Sequence, residues 1–296
     1  MNVIYALQSA ASPALDSLML WITRLGSEQV YIVLLILAFV VVDAAKGRSL
    51  ALVFLASFYL NQVLKELFAT QRPFLIDETV ARSQAAIDSA PGNGFPSGHA
   101  QSSMTFWGLA AVYVGRRWFI VLAALVVLAV SLSRLYLGVH LPIDVIGGLL
   151  LGLLAVAVGV AVERLELKPT RPLKLVLGLV LPLLVHLLFP LENSGLLLGA
   201  LAAFVVGPEL APHDTSGPLS GRLVLGVLAV ALAFGTLAAS SALLPEEVKR
   251  SALGSFTRYF LLALTGTALV PWFGRATGLT PRREAGSLAP SAKPGA

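Results

Sequence analysis

Six ionisable side chains lie near the ends of apolar segments in the first half of the chain, where charge is costly and usually functional. These residues are Lys65, Arg72, His99, Arg134, His140 and Asp144. Brought together, they would supply three cations, two imidazoles and one carboxylate, a set suited to binding a dianion and to acid–base or nucleophilic chemistry on it. Three cations in one pocket would repel one another without an anion. The residue types therefore predict a site for a dianionic substrate.

Taken singly, each of these residues has an ordinary structural explanation. A lone histidine at a helix end is usually a hydrogen-bonding group, and a lone Lys or Arg near a membrane boundary usually anchors its helix by snorkelling. We assign these structural roles to His186 and His213, and we interpret Asn61 and Glu66 as polar groups that tune Lys65 or pack inside the bundle. The functional interpretation rests on the convergence of all six residues.

The spacing of the residues predicts that convergence. Lys65 and Arg72 are seven positions apart and share a helix face if the helix runs on to Pro73. A turn at residues 115–117 makes the flanking helices an antiparallel hairpin, so His99 and Arg134 lie at the same end. His140 and Asp144 are four positions apart, which lets the carboxylate orient the imidazole.

The composition places these elements in a membrane. Of 296 residues, 57% are hydrophobic and 12% charged, against roughly a quarter charged in a soluble domain. A soluble globule is therefore excluded. The absence of cysteine excludes disulfides, thiolate metal sites and a cysteine nucleophile. The net charge of +5 comes from short loops rather than from a basic patch, so the charge is topogenic and we expect no nucleic-acid partner.

Nine apolar segments are near the ~20 residues needed to cross a bilayer, and they predict an all-α, polytopic membrane helix bundle. Their approximate spans are 29–45, 49–68, 99–115, 118–137, 142–162, 172–189, 194–210, 222–244 and 252–273. The polar connection 69–97 is long enough to be functional. Residues 276–296 are rich in Pro, Ser and Ala, which predicts a disordered tail.

The N-terminal residues 1–28 predict an interfacial helix rather than a cleavable signal peptide, because they have no basic leading segment and contain polar breaks. Ser12, Pro13 and Asp16 have the order of an N-cap, a first helical residue and a first-turn acid.

Basic residues predict the orientation. With alternating sides, 13 of the 21 Lys and Arg residues fall on one side of the membrane, which the positive-inside rule makes cytoplasmic. They are Lys46, Arg48, Arg116, Arg117, Arg164, Lys168, Arg171, Lys174, Arg222, Arg275, Arg282, Arg283 and Lys293. We therefore expect the 69–97 loop and the site to face outward and the C-terminus to face inward.

Three spaced motifs resemble the signature of the type 2 phosphatidic acid phosphatase (PAP2) superfamily. They are Lys-x6-Arg-Pro from Lys65, Pro-Ser-Gly-His from Pro96, and Ser-Arg-x5-His-x3-Asp from Ser133. Every specified position is met, in the right order and on one predicted membrane face. The resemblance covers about 80 residues of signature and, by helix pattern, residues 13–190.

The resemblance implies a metal-independent phosphatase that uses a phosphohistidine intermediate and no cofactor. His140 would attack phosphorus, His99 would protonate the leaving oxygen, and Asp144 would hold the His140 tautomer. Lys65, Arg72 and Arg134 would clamp the phosphate oxygens, with Ser97 and Gly98 adding donors at a helix N-terminus.

The resemblance also implies a six-helix catalytic core over residues 29–190, followed by an extension of about three transmembrane helices over 191–275. The implied substrate is a lipid phosphate or diphosphate in the bilayer: undecaprenyl diphosphate, phosphatidylglycerophosphate, phosphatidate or a sphingoid phosphate. The short loops favour a bacterial protein, and therefore the bacterial inner membrane. The sequence leaves open a phosphotransferase, a sugar-phosphate phosphatase and, from a different class, an anion transporter. It does not predict the oligomeric state.

Overall fold

Every regular element of this chain is a helix in the computed structural model, which describes residues 1–191 and 193–281. The helices are α1 (Asn2–Gln8), α2 (Pro13–Arg24), α3 (Glu28–Leu37), α4 (Ala44–Phe68), α5 (Pro73–Ile76), α6 (Gln84–Asp88), α7 (Gly98–Val114), α8 (Arg117–Tyr136), α9 (Pro142–Arg164), α10 (Arg171–Leu175), α11 (Leu181–Leu188), α12 (Ser194–Leu210), α13 (Leu219–Leu243), α14 (Glu246–Arg250), α15 (Ala252–Leu264) and α16 (Val270–Ala276). The predicted all-α class is confirmed.

Short stretches of other helix types complete the fold. π-helical turns extend α3 over Ala38–Val42, join α10 to α11 over Val176–Val180 and join α15 to α16 over Thr265–Leu269. A 3-10 turn covers Glu78–Val80.

All nine predicted apolar segments are helical, but fewer than nine qualify as membrane spans by length and hydropathy. Six stretches in the described residues do so: 44–76, in which residues 69–72 separate α4 from α5, and 117–136, 142–164, 171–188, 219–243 and 252–276. A seventh forms if α2 and the extended α3, which meet at a bend of 45°, count as one span. Helices α7 and α12 have 17 residues each, about 26 Å at 1.5 Å per residue, which is less than a ~30 Å hydrocarbon core.

Long apolar side chains cover the outside of the bundle. Leu125, Leu128 and Leu132 on α8 and Leu150 and Leu153 on α9 are each at least half or nearly half exposed. A surface of this kind is stable in lipid rather than in water. The chain is an integral membrane protein.

Helix α7 lies among α4, α8 and α9 and packs closely against α9. A Cβ atom on Gly148 would lie 2.5 Å from the Ser97 carbonyl oxygen, and one on Gly152 would lie 2.8 Å from the Gln101 carbonyl oxygen. Small residues four apart let two membrane helices approach to backbone contact. The start of α7 is thereby fixed beside the start of α9.

A buried amide network joins α7 to α4. The Asn61 side-chain amide donates to Gln101 Oε1 at 2.7 Å, and the Gln101 amide donates to the Ser57 carbonyl at 2.8 Å and to its hydroxyl at 2.9 Å. In a low-dielectric interior, such bonds disfavour a shift of one helix against the other. The network sets Lys65 and His99 at the same end of the bundle, here called the site end.

The N-terminal segment docks on the site end. Ser12 caps α2 by accepting from the Leu15 N–H at 3.3 Å, Pro13 is the first helical residue and Asp16 lies in the first turn, as predicted. Asp16 then accepts two bonds from Arg82, at 2.9 and 2.8 Å, and one from the Tyr136 hydroxyl at 2.6 Å. These bonds tie α2 to α8 and to the 69–97 connection.

The C-terminal helices pack on the core through α12, which contacts α4 on one side and α15 on the other. His186 is buried between α12 and α15, with its ring nitrogens 2.8 Å from the Ser194 hydroxyl and 2.8 Å from the Ala252 carbonyl. This is the structural role predicted for it.

The last described residues pack against the bundle. Helix α16 ends at Ala276, and the Thr280 N–H donates to the Gly274 carbonyl at 3.1 Å. Most of the predicted disordered tail, residues 282–296, lies outside the described residues, together with Arg282, Arg283 and Lys293 of the basic count.

Candidate active site

A cavity of about 90 Å³ lies at the site end, between α3, α4, α7 and the 69–97 connection. Six of the eight predicted site residues line it: Lys65, Arg72, Gly98, His99, Arg134 and His140. The other two, Ser97 and Asp144, are buried behind this lining. The convergence predicted from the sequence is present in the structure.

Lys65 and Arg72 reach the cavity by a different route from the one that the spacing predicts. Helix α4 ends at Phe68 because Ala69 adopts the left-handed conformation, with φ of 46°. Arg72 therefore does not extend the helix face of Lys65, and the expectation of one continuous helix is wrong. Arg72 is instead the N-cap of α5, where the backbone is extended before Pro73.

The carbonyl groups of residues 89–93 surround the three cations. Lys65 Nζ donates to the Asn93 carbonyl, while the Arg72 guanidinium donates to the Gly92 carbonyl at 2.8 Å and to the Pro91 carbonyl at 2.6 Å. The Asn93 side-chain amide donates back to the Lys65 carbonyl at 3.0 Å. These dipoles offset part of the mutual repulsion of the cations. Sequence reasoning missed this contribution, since carbonyl groups carry no residue-type signal.

Arg134 is fully buried at the end of α8. Its Nη1 donates to the Thr23 hydroxyl at 2.7 Å and to the Ser89 hydroxyl at 2.9 Å, and its Nη2 donates to the Ser89 carbonyl at 3.0 Å. Its Nε has no hydrogen-bond partner among residues 1–191 and 193–281. A buried donor without a partner is costly. A phosphate oxygen in the cavity would supply the missing acceptor.

His140 lies in the short loop between α8 and α9, which depends on a glycine turn. Gly138 has φ of +72°, and a Cβ atom on it would lie 1.9 Å from the Val80 carbonyl oxygen. Only glycine fits such a position. The turn brings Val139 back so that its N–H donates to the Arg134 carbonyl at 3.2 Å, which places the next residue, His140, at the cavity.

The contacts of His140 define its tautomer. Arg72 Nη1 lies 3.1 Å from His140 Nε2, and because a guanidinium nitrogen can only donate, Nε2 must present a lone pair. The proton is then on Nδ1, which lies 3.4 Å from Asp144 Oδ2. Burial, together with the charges of Arg72 and Arg134, holds the pKa of His140 well below its ordinary value. The imidazole is therefore neutral, with its nucleophilic nitrogen on the side of the cations.

Asp144 is oriented by the backbone of its own helix. Its Oδ2 accepts from the Leu141 N–H at 2.8 Å, and its carbonyl accepts from the Ser97 N–H at 2.9 Å. The second bond links the Pro-Ser-Gly-His motif to the Asp144 motif. It also occupies the Ser97 N–H, so the expected Ser97 backbone donor is directed to Asp144 and not to the cavity.

His99 lines the cavity from the first turn of α7, and Gly26 packs against its ring. A Cβ atom on Gly26 would lie 2.8 Å from His99 Cδ2. Together with Thr23 and Glu28, Gly26 brings the N-terminal segment into the site. Sequence reasoning assigned residues 1–28 to the membrane interface and missed this role, because the segment has no spaced motif.

The described residues contain no group of three or more His, Asp or Glu side chains placed to hold a metal ion. His213, like His186, is held structurally, with Nε2 at 2.8 Å from the Val40 carbonyl.

Two imidazoles and three buried cations line one cavity, and one imidazole is backed by a carboxylate. This arrangement defines the class of site: an anion-binding site with groups suited to acid–base or nucleophilic chemistry. The comparisons with known proteins agree with this class. Residues 46–166 match the family model described as the PAP2 superfamily, and residues 191–283 match the model of a PAP2 superfamily phosphatase transmembrane extension. The chain belongs to the PAP2 superfamily.

Two relatives that are named for their activity support this family assignment. The chain is 32% identical over 140 residues to an undecaprenyl-diphosphatase of Sulfolobus acidocaldarius, a match that covers 47% of this chain and 66%, just under two thirds, of that protein. It is 29% identical over 155 residues to phosphatidylglycerophosphatase B of Bacillus subtilis, covering 48% and 72% of the two chains. Both relatives are named as phosphatases, the enzyme class that the sequence predicts for this chain.

Among solved structures, the chain is similar to a transmembrane PAP2 type phosphatidylglycerolphosphate phosphatase from Bacillus subtilis. The sequence identity is 27% and the TM-score is 0.48, with 57% of this chain and 86% of that chain covered.

Proposed function

We propose that this protein hydrolyses a lipid phosphate or diphosphate monoester through a phosphohistidine intermediate on His140. The observation that carries the proposal is the His140 imidazole, with its Nε2 lone pair at 3.1 Å from the Arg72 guanidinium and its Nδ1 facing Asp144. An anion drawn to the cations would meet this lone pair.

In the first step, His140 Nε2 attacks phosphorus, the new N–P bond forms, and the bond from phosphorus to the leaving oxygen breaks. His99, which takes up a proton as the bound phosphate dianion offsets the neighbouring cations, gives that proton to the leaving oxygen. Asp144 accepts the Nδ1 proton in a hydrogen bond and stabilises the cationic ring that forms during attack.

In the second step, water attacks phosphorus from the side opposite the N–P bond. His99, now neutral, takes a proton from the water as the N–P bond breaks. His140 regains the Nε2 lone pair, and inorganic phosphate leaves. Both histidines return to their starting protonation states, so the cycle balances with water as the only co-reactant.

The three cations supply the charge stabilisation that metal ions supply in other phosphotransfer enzymes. Arg134 contributes the Nε donor that has no protein partner among the described residues. Arg72 can pass its bond from His140 Nε2 to a phosphate oxygen when substrate binds, which frees the nucleophile. Gly98, at the start of α7, lines the same cavity and adds a helix N-terminus.

The substrate class follows from the setting of the cavity. The site lies at one end of a membrane bundle, and the curated relatives are named for diphosphate and glycerophosphate lipids. The three cations, Lys65, Arg72 and Arg134, bind only the phosphate group. That group is common to undecaprenyl diphosphate, phosphatidylglycerophosphate, phosphatidate and sphingoid phosphates.

We also propose that residues 29–190 form the catalytic core and residues 191–275 an extension. Support comes from the two separate family matches, over 46–166 and 191–283. The proposed location is a bacterial inner membrane, with the site facing outward. Support for the orientation comes from the basic residues at the opposite end of the bundle, among them Lys46, Arg48 and Arg117.

The phosphoenzyme is the direct test. The purified protein is mixed with radiolabelled lipid phosphate, quenched in base, and digested for mass spectrometry. We expect a base-stable, acid-labile label on His140 in the wild type and none in His140→Ala. Turnover without any labelled histidine, or a label on a serine, would reject the mechanism. The same reaction run in a chelator should proceed at the same rate.

A cysteine-labelling experiment tests the orientation. The chain has no cysteine, so Ser83→Cys and Ser216→Cys can be probed singly with an impermeant thiol reagent in intact cells. The proposal expects labelling at position 83 only. Labelling at 216 only would place the site in the cytoplasm.

A further inference from the structure

A second cavity, here called the apolar chamber, has a volume of about 250 Å³ and lies between α3, α4, α12, α13 and α15. Its walls are mainly hydrocarbon, with Leu35, Phe39, Leu55, Phe204 and Leu262 among the buried ones. Apolar cavities of about 150 Å³ already hold a benzene-sized ligand. The chamber therefore has room for a longer stretch of hydrocarbon.

The apolar chamber adjoins the catalytic cavity. Glu28, at the start of α3, and Asn193, just before α12, line both cavities. An elongated molecule with an anionic group among the three cations would therefore have its adjoining segment at the mouth of the chamber.

The chamber also reaches the outer surface. Gln29 and Asn193 are exposed, and Phe234 on α13 is 38% exposed while it lines the chamber. A hydrocarbon chain can thus pass between the chamber and the surrounding lipid without unfolding the bundle.

Most of the lining comes from the C-terminal extension. Gly266, in the C-terminal extension, shows that the backbone of the extension leaves room for the chamber. The residue is buried, yet a Cβ atom built on it would meet no heavy atom within 4 Å. A buried glycine is normally surrounded by neighbours. Here the open side is the chamber, which Gly266 lines.

We propose that the apolar chamber receives the hydrocarbon segment next to the phosphate of the lipid substrate, and that the C-terminal extension exists in part to build it. This inference rests on the proposed function, because it assumes that the phosphate lies at His140. A lipid chain that leaves the bilayer for the chamber exchanges one apolar surrounding for another, so the hydrophobic gain is small. The chamber contributes position and selectivity: it holds the phosphate in line with Nε2 and favours substrates with a chain to place.

The test fills the chamber. Gly266→Leu adds a side chain into the open space of the chamber. Gly235→Leu is the matched control, because Gly235 on α13 is exposed, also has no heavy atom within 4 Å of a built Cβ, and does not line the chamber.

Two substrates show whether the effect depends on the hydrocarbon chain. Farnesyl and isopentenyl diphosphate share the head group and differ in chain length. We expect kcat/KM of Gly266→Leu to fall at least about tenfold for farnesyl diphosphate, on the scale of pocket discrimination of apolar groups, and by less than about twofold for isopentenyl diphosphate. The control should match the wild type on both substrates.

Two outcomes separate the chamber from the proposed function. Equal changes for both substrates in Gly266→Leu would reject the chamber while leaving the phosphatase in place. No phosphate release by the wild type from farnesyl diphosphate, isopentenyl diphosphate, phosphatidate or phosphatidylglycerophosphate would reject the proposed function itself.

A protection experiment measures whether a ligand occupies the chamber. It requires neither turnover nor a larger side chain at position 266. Ala233 lines the chamber and is 3% exposed. In a His140→Ala background, Ala233→Cys is reacted with N-ethylmaleimide in the presence of farnesyl diphosphate, isopentenyl diphosphate or inorganic phosphate. Farnesyl diphosphate alone should slow the reaction, and Gly235→Cys should react equally in all three. Equal reaction of Ala233→Cys in all three would overturn the inference.

Discussion

Two central helices of this bundle, α7 and α12, have the same length of 17 residues but differ in the polarity of the side chains that they bury. Helix α7 buries polar side chains, among them Gln101, Ser103 and Thr105, and carries His99 at its start. Helix α12 buries mainly Leu, Ala, Gly and Phe, including Leu197, Ala202 and Phe204.

The difference separates two tasks in one membrane protein. Polar networks around α7 fix the angular position of each helix, because an unsatisfied amide in a lipid-like interior is costly. Packing around α12 is mainly apolar, with a close backbone contact at Gly199, and it can enclose a chamber that is compatible with hydrocarbon. We infer that substitutions near α7 affect chemistry, whereas substitutions near α12 affect packing and chain selection.

His140→Ala should give the largest effect. Loss of the nucleophile should lower kcat by at least about a thousandfold, with the protein still eluting as a folded, monodisperse species. Phosphate release from a lipid phosphate in detergent measures the rate. If the variant kept more than about a tenth of the wild-type rate, His140 would not be the covalent catalyst.

His99→Ala should give a large effect that depends on the substrate. Its proposed task is to protonate the leaving oxygen, so a substrate with an acidic leaving group needs it less. With a nitrophenyl phosphate, the variant should recover much of its phosphoenzyme formation, whereas His140→Ala should recover none. Rapid-quench labelling measures this. An equal response of both variants to leaving-group acidity would leave the two roles unassigned.

Arg72→Gln should move the acidic limb of the pH profile. The Arg72 charge helps to keep the pKa of His140 low, so in the wild type the nucleophile stays neutral as pH falls. Without that charge the pKa rises, the imidazole protonates at higher pH, and activity is lost at higher pH, with an expected displacement of about one pH unit. The pH dependence of kcat/KM measures the shift. A parallel loss at all pH values would limit Arg72 to substrate binding.

Gly199→Leu should give the smallest change in chemistry and should act on stability instead. A Cβ atom at this position of α12 would lie 2.6 Å from the Phe256 carbonyl oxygen and 2.9 Å from the Phe260 nitrogen, both backbone atoms of α15. We expect a loss of about 1–3 kcal/mol as a lower melting temperature, with kcat on nitrophenyl phosphate unchanged in the folded fraction. Gly235→Leu is the control. A drop in kcat without a drop in melting temperature would break the proposed division of tasks.

Local patterns in the sequence predicted much of the fold and of the site. The apolar segments, the hairpin at 115–117 and the cap at Ser12 follow from hydropathy and short-range geometry, and the structure contains each of them. The three motifs brought six residues to one cavity because each motif lies at a helix end on the same side of the bundle.

The tertiary structure decided features that depend on contacts between distant segments. Sequence spacing placed Arg72 on the Lys65 helix, but the left-handed Ala69 ends that helix and a loop returns Arg72 to His140. The carbonyl groups of residues 89–93 and the Thr23 hydroxyl complete the surroundings of the cations.

The types and periodicity of the residues determined which groups could do chemistry and which helices lie in the membrane, because both depend on side-chain chemistry over a few turns. The catalytic surroundings and the apolar chamber were decided only by folding. Backbone carbonyl groups are the same for every residue, and a cavity is the space left between helices that are far apart in the chain. The carbonyl positions and the cavity therefore leave no local pattern in the sequence. Only the packed structure shows which carbonyl groups accept hydrogen bonds from the cations and where a hydrocarbon chain would fit.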